Sequence, residues 1–178
     1  MSTAIDRAGG IEAFVLDVDG VLTDGQLHYG PDGESLKSFH SRDGLGLALL
    51  RESGMKLAIV SGRQSPVVTA RARELQIEPC WLGRLDKGRA LEELCNHWGV
   101  TARVVAAMGD DLVDVPMLRR VGLSFAPADA DARVRELVHC VVKNPGGYGA
   151  VRDACEILLE GRGYWSELAK RFDLEERK

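Results

Sequence analysis

An α/β fold with a mostly parallel, doubly wound sheet is predicted by two features of the sequence. Short apolar runs at residues 11–16, 55–60, 104–108 and 123–126 alternate with stretches whose apolar residues recur at helical spacing, the order of elements that builds βαβ units. Three of the runs then end in polar or acidic residues, at Asp17, Ser61 and Gly109-Asp110. Parallel strands bring such ends to one edge of the sheet, where open α/β folds bind ligands.

Residues 1–10 are small, polar and glycine-ended and are expected to form a loose tail. Residues 11–178 are expected to make one domain, a length that can bury a substantial core. After the first strand, residues 26–39 read as a β-hairpin around Gly30-Pro31-Asp32-Gly33. Leu45, Leu49 and Leu50 predict a helix over residues 44–53, with Gly54 as its left-handed stop. Ser65 and Pro66 mark the start of a helix reaching about Leu75. A short strand at residues 80–82 precedes a helix opened by Lys87 and closed by Gly99, with Leu91, Leu94, Cys95 and Trp98 on one face. Asp114 is placed to cap a helix carrying Pro116 in its first turn. Further strands are expected at residues 123–126 and 138–142, separated by a helix over 131–137. Residues 145–149 read as a flexible loop. Val151, Ala154, Cys155 and Leu158 mark an amphipathic helix, and residues 164–172 one more.

The net charge of −4 gives no general attraction to nucleic acid or an anionic membrane. Cys80, Cys95, Cys140 and Cys155 form no C-x-x-C pair and lie in apolar neighbourhoods, as core thiols of a reducing compartment do. No secretory h-region or membrane-length apolar run is present, so the expected location is the cytoplasm.

The chemistry is concentrated in residues 14–25, F-V-L-D-V-D-G-V-L-T-D-G. Asp17 and Asp19 are two apart, so in extended backbone both carboxylates face one site, and Gly20 permits a sharp turn. An isolated D-x-D is more often a turn that caps the next element. The full pattern resembles the first motif of the haloacid dehalogenase superfamily of phosphohydrolases, whose first Asp is the nucleophile and whose second is the general acid and base. Ser61, Lys87 and the Asp110-Asp111-x-x-Asp114 run match the remaining superfamily motifs in order, so the resemblance spans residues 11–114.

Five clustered carboxylates repel one another unless a cation joins them. Oxygen-only ligands favour a hard ion, Mg²⁺, held by the side chains of Asp17 and Asp110. The resemblance adds the backbone carbonyl of Asp19. Lys87 would neutralise the phosphoryl group and Ser61 would hydrogen-bond one of its oxygens. Asp111 and Asp114 would support the metal ligands or metal-bound water.

Superfamily members commonly carry a cap domain after the first or second motif, but residues 25–43 and 63–87 leave no room for one. A capless chain with Arg42-Asp43-Gly44, Ser61-Gly62-Arg63 and Gly146-Gly147-Tyr148-Gly149-Ala150-Val151-Arg152 is similar to the 3-deoxy-D-manno-octulosonate 8-phosphate (Kdo 8-phosphate) phosphatase family. This resemblance implies a Rossmann-like domain without a cap, and a homotetramer whose neighbouring subunits complete each pocket. It also implies Mg²⁺-dependent hydrolysis of a phosphorylated sugar acid to Kdo and phosphate, through an aspartyl phosphate, in lipopolysaccharide biosynthesis. The substrate positions carried over are Asp19, His40, Ser41, Arg42, Asp43, Gly44, Arg63, Arg71 and Lys87, with His40 standing where relatives commonly have Asn. Arg63 favours the eight-carbon substrate, because relatives acting on KDN 9-phosphate carry Glu there. The alternatives are KDN 9-phosphate or another sugar phosphate, a non-catalytic oligomerisation module of the same fold, and a receiver-like phosphoacceptor. The last is normally shorter and lacks the second acid at this spacing.

Overall fold

The computed structural model describes residues 3–174. Strand β1 (Ala13–Leu16) is followed by a hairpin, β2 (His28–Gly30) and β3 (Gly33–Leu36), and then by β4 (Lys56–Val60), β5 (Cys80–Trp81), β6 (Val105–Met108), β7 (Leu123–Ala126) and β8 (Cys140–Val141). Six of these strands form one all-parallel sheet in the order β5-β4-β1-β6-β7-β8, and the hairpin is a separate two-stranded sheet. The helices are α1 (Ala4–Ala8), α2 (Ser41–Glu52), α3 (Pro66–Leu75), α4 (Lys87–Trp98), α5 (Val115–Leu118), α6 (Ala132–Leu137), α7 (Ala150–Gly161) and α8 (Trp165–Arg171).

Both faces of the sheet are covered, which is why its strands are apolar throughout rather than alternating. Phe14 and Leu16 of β1 point into a core shared with Leu47, Leu50, Val151 and Leu158 of α2 and α7. Ala13 and Val15 point the other way, towards Leu91 and Leu94 of α4 and Met117 of α5. Phe14 meets Phe125 of β7 edge to face, with ring centroids 5.9 Å apart. The chain winds outward from β1 to β4 and β5 on one side and from β6 to β7 and β8 on the other. The winding therefore reverses between β1 and β6, and the crevice beyond that reversal is where such folds bind ligands. Among the described residues no helix is long and apolar enough to cross a membrane.

Several elements differ from expectation. The predicted tail contains α1, nucleated by a capping box in which the Thr3 hydroxyl accepts from Asp6 N–H and the Asp6 carboxylate accepts from Thr3 N–H. Helix α1 packs against α7, and a Cβ on Gly161 would come within 2.5 Å of the Ala8 Cβ. Helix α2 starts three residues early, at Ser41, with His40 as its N-cap. Its buried face is Leu47, Leu49 and Leu50, with Leu45 exposed. The early start is fixed by a long-range bond that local periodicity does not encode, Arg152 N–H donating to Asp43 Oδ1 at 2.8 Å. The segment 145–149 is not a free loop. A Cβ on Gly146 would lie 1.9 Å from the Gly20 carbonyl oxygen, and Gly147 N–H donates to the Val21 carbonyl at 3.1 Å. These glycines are required because two backbones pass in contact. Strand β8 covers only two of the five residues expected.

Candidate active site

Asp17 lies at the first position beyond β1, held to the neighbouring strand by its N–H donating to the Met108 carbonyl at 3.0 Å. Asp110 lies two residues beyond β6, so the two carboxylates flank the winding reversal. Gly20 has a φ of +84°, and a Cβ there would sit 2.0 Å from Asp110 Oδ2. The turn thus needs glycine for its conformation and for the close approach of the acid. Strand β4 brings Ser61 and Arg63 to the same edge, and the start of α4 brings Lys87. All five side chains, with Asp19, line one cavity of about 520 Å³, to which Asp111 also contributes.

The centre of the site is an ion cluster. Lys87 is fully buried, with Nζ 2.6 Å from Asp17 Oδ1 and paired also to Asp114 Oδ1. Burial alone would depress its pKa, but Asp17 and Asp114 more than offset this and hold it above the ordinary lysine value. Asp114 does not cap α5 as expected. Its Oδ2 instead accepts from Asp110 N–H at 3.0 Å and Asp111 N–H at 3.2 Å, while the exposed Asp111 carboxylate caps the short 3₁₀ turn at Leu112–Asp114. The side chain that fixes the acidic loop is therefore Asp114, and Asp111 only starts the next turn.

Asp17, Asp110 and Asp114 each offer an oxygen, all within 4.8 Å of one another. Burial, with a smaller push from the Asp114 charge and against the pull of Lys87, raises the Asp17 carboxyl to about 7. Burial and the charges of Asp17 and Asp114 push Asp110 up to about 8. One lysine thus does not balance three acids, and the donor set, all oxygen, suits a hard divalent cation. Among the described residues no hydrogen bond reaches the Asp110 carboxylate or the Asp19 carbonyl, whereas both Asp114 oxygens are occupied. Asp17 and Asp110, with the unbonded Asp19 carbonyl, could therefore hold the cation, while Asp114 holds Lys87 and two N–H groups of its own loop.

These shifts give a stability prediction. Without a cation the folded chain keeps the two protons to about pH 7 and 8, whereas the unfolded chain releases them near its ordinary carboxyl value of 3.8. The native state then binds more protons across that window, so stability falls as pH rises through it and levels off above about pH 8. The unfolding midpoint of chelator-treated protein is expected to drop from about pH 5 to about pH 8. Added divalent cation should raise it more at the higher pH, where it has no protons to displace. A cation effect that is equal at both pH values would contradict this cluster.

Asp19 is in the cavity but turned away from the other acids. Its Oδ1 pairs with Lys37, and its Oδ2 lies 3.9 Å from Arg63 Nε. Arg63 stacks over the Tyr29 ring at 6.0 Å and donates to the Tyr29 hydroxyl. Ser61 is buried and its Oγ accepts from Arg63 N–H at 3.3 Å. The other expected substrate positions do not line this cavity within one chain. Arg71 lies over Phe39 at 5.7 Å and pairs with Glu74 at 2.9 Å, and Gly44 leaves room for its guanidinium. His40 and Ser41 begin α2, Asp43 is buried against Arg152 N–H, and Arg42 faces a separate groove beside Arg152. The sequence reading missed Lys37, Glu34 and Tyr29. Lys37 carried one available signal, a lysine facing opposite to Leu36 on an alternating arm, but the hairpin register needed to use it shifts between His28 and Tyr29.

Residues 81–152 match the family model described as haloacid dehalogenase-like hydrolase. The chain is 45% identical over 153 residues to the 3-deoxy-D-manno-octulosonate 8-phosphate phosphatase KdsC of Haemophilus influenzae, covering 86% of this chain and 85% of that protein. It is 39% identical over 163 residues to KdsC of Escherichia coli K12, covering 92% and 87%. Among solved structures it is similar to 3-deoxy-D-manno-octulosonate 8-phosphate phosphatase from Moraxella catarrhalis in complex with magnesium ion, phosphate ion and KDO. That match has a TM-score of 0.92 and 36% identity, over 95% of this chain and 97% of that one. The cobalt-bound Haemophilus influenzae phosphatase matches with a TM-score of 0.86 and 44% identity, over 88% and 92%. A sheet that reverses between β1 and β6, the acids and the lysine gathered there, and likeness along nearly the whole chain agree: this protein belongs to the capless KdsC phosphatase family of haloacid dehalogenase-like hydrolases, which are phosphoric monoester hydrolases.

Proposed function

We propose that the chain hydrolyses Kdo 8-phosphate to Kdo and inorganic phosphate through an aspartyl phosphate on Asp17. The observation that carries this reading is the meeting of Asp17, Asp19 and Lys87 in one cavity, with a ligand set for Mg²⁺ beside them. When bound, Mg²⁺ supplies positive charge that lowers the cost of bringing a phosphate dianion to a carboxylate. Lys87 holds the Asp17 carboxylate in place and adds a second positive charge. One Asp17 oxygen bonds to phosphorus as the bond to the sugar oxygen breaks, and protonated Asp19 gives its proton to that oxygen. Asp19 then takes a proton from water as the water oxygen bonds to phosphorus and the Asp17 ester breaks. Ser61 donates to a phosphoryl oxygen, keeping the group in line during both displacements.

The sugar acid is supported by the relatives' substrate and by Arg63, a guanidinium at the cavity that a carboxylate can engage. Leu85 is 73% exposed at the same cavity. An apolar rim beside a charged pocket suits a second copy as cover, in the homotetramer, from which residues 40–44 and Arg71 would serve a neighbouring site. A cytoplasmic role in lipopolysaccharide biosynthesis follows from that substrate. The test is phosphate release from Kdo 8-phosphate and KDN 9-phosphate with Mg²⁺ present. The eight-carbon ester is expected to have the higher kcat/KM by about tenfold or more, a difference of about 1.4 kcal/mol. Faster turnover of the nine-carbon ester overturns the substrate assignment, and no Mg²⁺-dependent release from either leaves another sugar phosphate as substrate or a non-catalytic module.

A further inference from the structure

We propose that Lys37, on the hairpin, is the positioning residue that holds the Asp19 carboxylate in its working orientation, so that proton delivery to the leaving group depends on the hairpin. The inference rests on the reading of Asp19 as proton donor given above. Lys37 lies one residue beyond β3, and its side chain is only 1% exposed. Its ammonium bridges Asp19 Oδ1 and Glu34 Oε1, the latter at 2.9 Å. Glu34 Oε2 accepts from the Ser65 hydroxyl, which in turn accepts from Val68 N–H at 3.3 Å as the N-cap of α3. Asp19 is thus tied through Lys37 and Glu34 to the start of a sheet-anchored helix. Its second oxygen remains towards the cavity, 3.9 Å from Arg63 Nε.

Burying a lysine costs several kcal/mol unless its partners compensate, and an apolar residue fills such a place more cheaply. A lysine side chain can also extend to solvent. Lys37 does neither, and it spends one of its contacts on an acid that belongs to the cavity. The hairpin has almost no core of its own, with Leu27, Tyr29 and Leu36 all exposed, but the bond between Glu34 and Ser65 already ties it to α3, so holding the hairpin in place does not require the contact between Lys37 and Asp19. A carboxylate that must give a proton and later take one has to stay within hydrogen-bond reach of the same oxygen site in both steps. One fixed oxygen leaves only the other to move.

The test compares two leaving groups. Departure of a sugar alkoxide needs a proton from Asp19, whereas departure of p-nitrophenolate does not, and kcat/KM reports only the step through phosphoryl transfer to Asp17. In Lys37→Met, kcat/KM for Kdo 8-phosphate is expected to fall about 30-fold, and that for p-nitrophenyl phosphate by less than about threefold. Equal losses on both esters, or no loss on either, overturn the inference. If Lys37→Met does not fold, Lys37→Gln keeps an N–H donor and should show the same split at about fivefold; equal losses there overturn it too. Asp19→Asn in the same assays separates this inference from the reading beneath it. A split in Asp19→Asn without one at Lys37 removes only the role of Lys37. No split in Asp19→Asn removes the proton-donor reading and the inference with it.

Discussion

Replacing Asp17 by Asn is expected to abolish Mg²⁺-dependent phosphate release, by about 10⁴-fold or more, while leaving the fold intact. The amide matches the carboxylate in shape, and its oxygen can still accept from Lys87, now 2.6 Å from Asp17 Oδ1. It cannot form the phosphoryl ester at a useful rate. The stability outcome follows from the same cluster. Burial and Asp114 lift the Asp17 carboxyl to about 7, so at pH 8 without cation the folded chain carries that charge at a cost. Removing it relieves repulsion with Asp110 and Asp114, all within 4.8 Å. The unfolding midpoint in chelator at about pH 8 should therefore match or exceed that of the unaltered protein. Phosphate release and thermal unfolding on one preparation check both halves. A folded, active Asp17→Asn protein rules out this residue as nucleophile.

The sheet was legible because its strands are buried on both faces and leave uninterrupted apolar runs. Asp17, Ser61 and Asp110 were legible because parallel strands fix where their ends must go, and Lys87 by its place in the order of motifs that carries the resemblance. The resemblance supplied their roles. What the sequence concealed lies where contacts run between distant segments. Asp114 looked like a helix cap because Asp is a common cap, yet its oxygens turn back to Lys87 and to two N–H groups of its own loop. Residues 145–149 looked flexible because glycines usually are, and only a packed turn at residues 20–24 makes them rigid. Helix α2 begins early because Arg152, 109 residues away, supplies the N–H that accommodates Asp43. Lys37 was hidden by a register shift in a hairpin too small to announce its inner face.

Replacing Lys87 by Met is expected to cut activity severely, though less than Asp17→Asn does, with the opposite effect on stability. Lys87 is buried and contacts both Asp17 and Asp114. Without it three carboxylates keep their positions and lose the only protein cation that contacts any two of them among the described residues. Breaking one side of a buried ion pair in this way costs about 3–5 kcal/mol, and losing its charge from the phosphoryl site costs about 10²–10³-fold in turnover. The loss of stability should be larger at about pH 8 than at about pH 5, because the orphaned acids can protonate at the lower value. Lysine ionisation adds no slope there, since burial is outweighed by Asp17 and Asp114 and its pKa stays above the ordinary value. The double variant Asp17→Asn, Lys87→Met should then be more stable than Lys87→Met alone, a coupling that independent sites do not show. Denaturant unfolding of the four proteins in chelator measures it. If Lys87→Met proves as stable as the unaltered protein, the three acids do not depend on this lysine for their charge balance, and the account of the ion cluster fails.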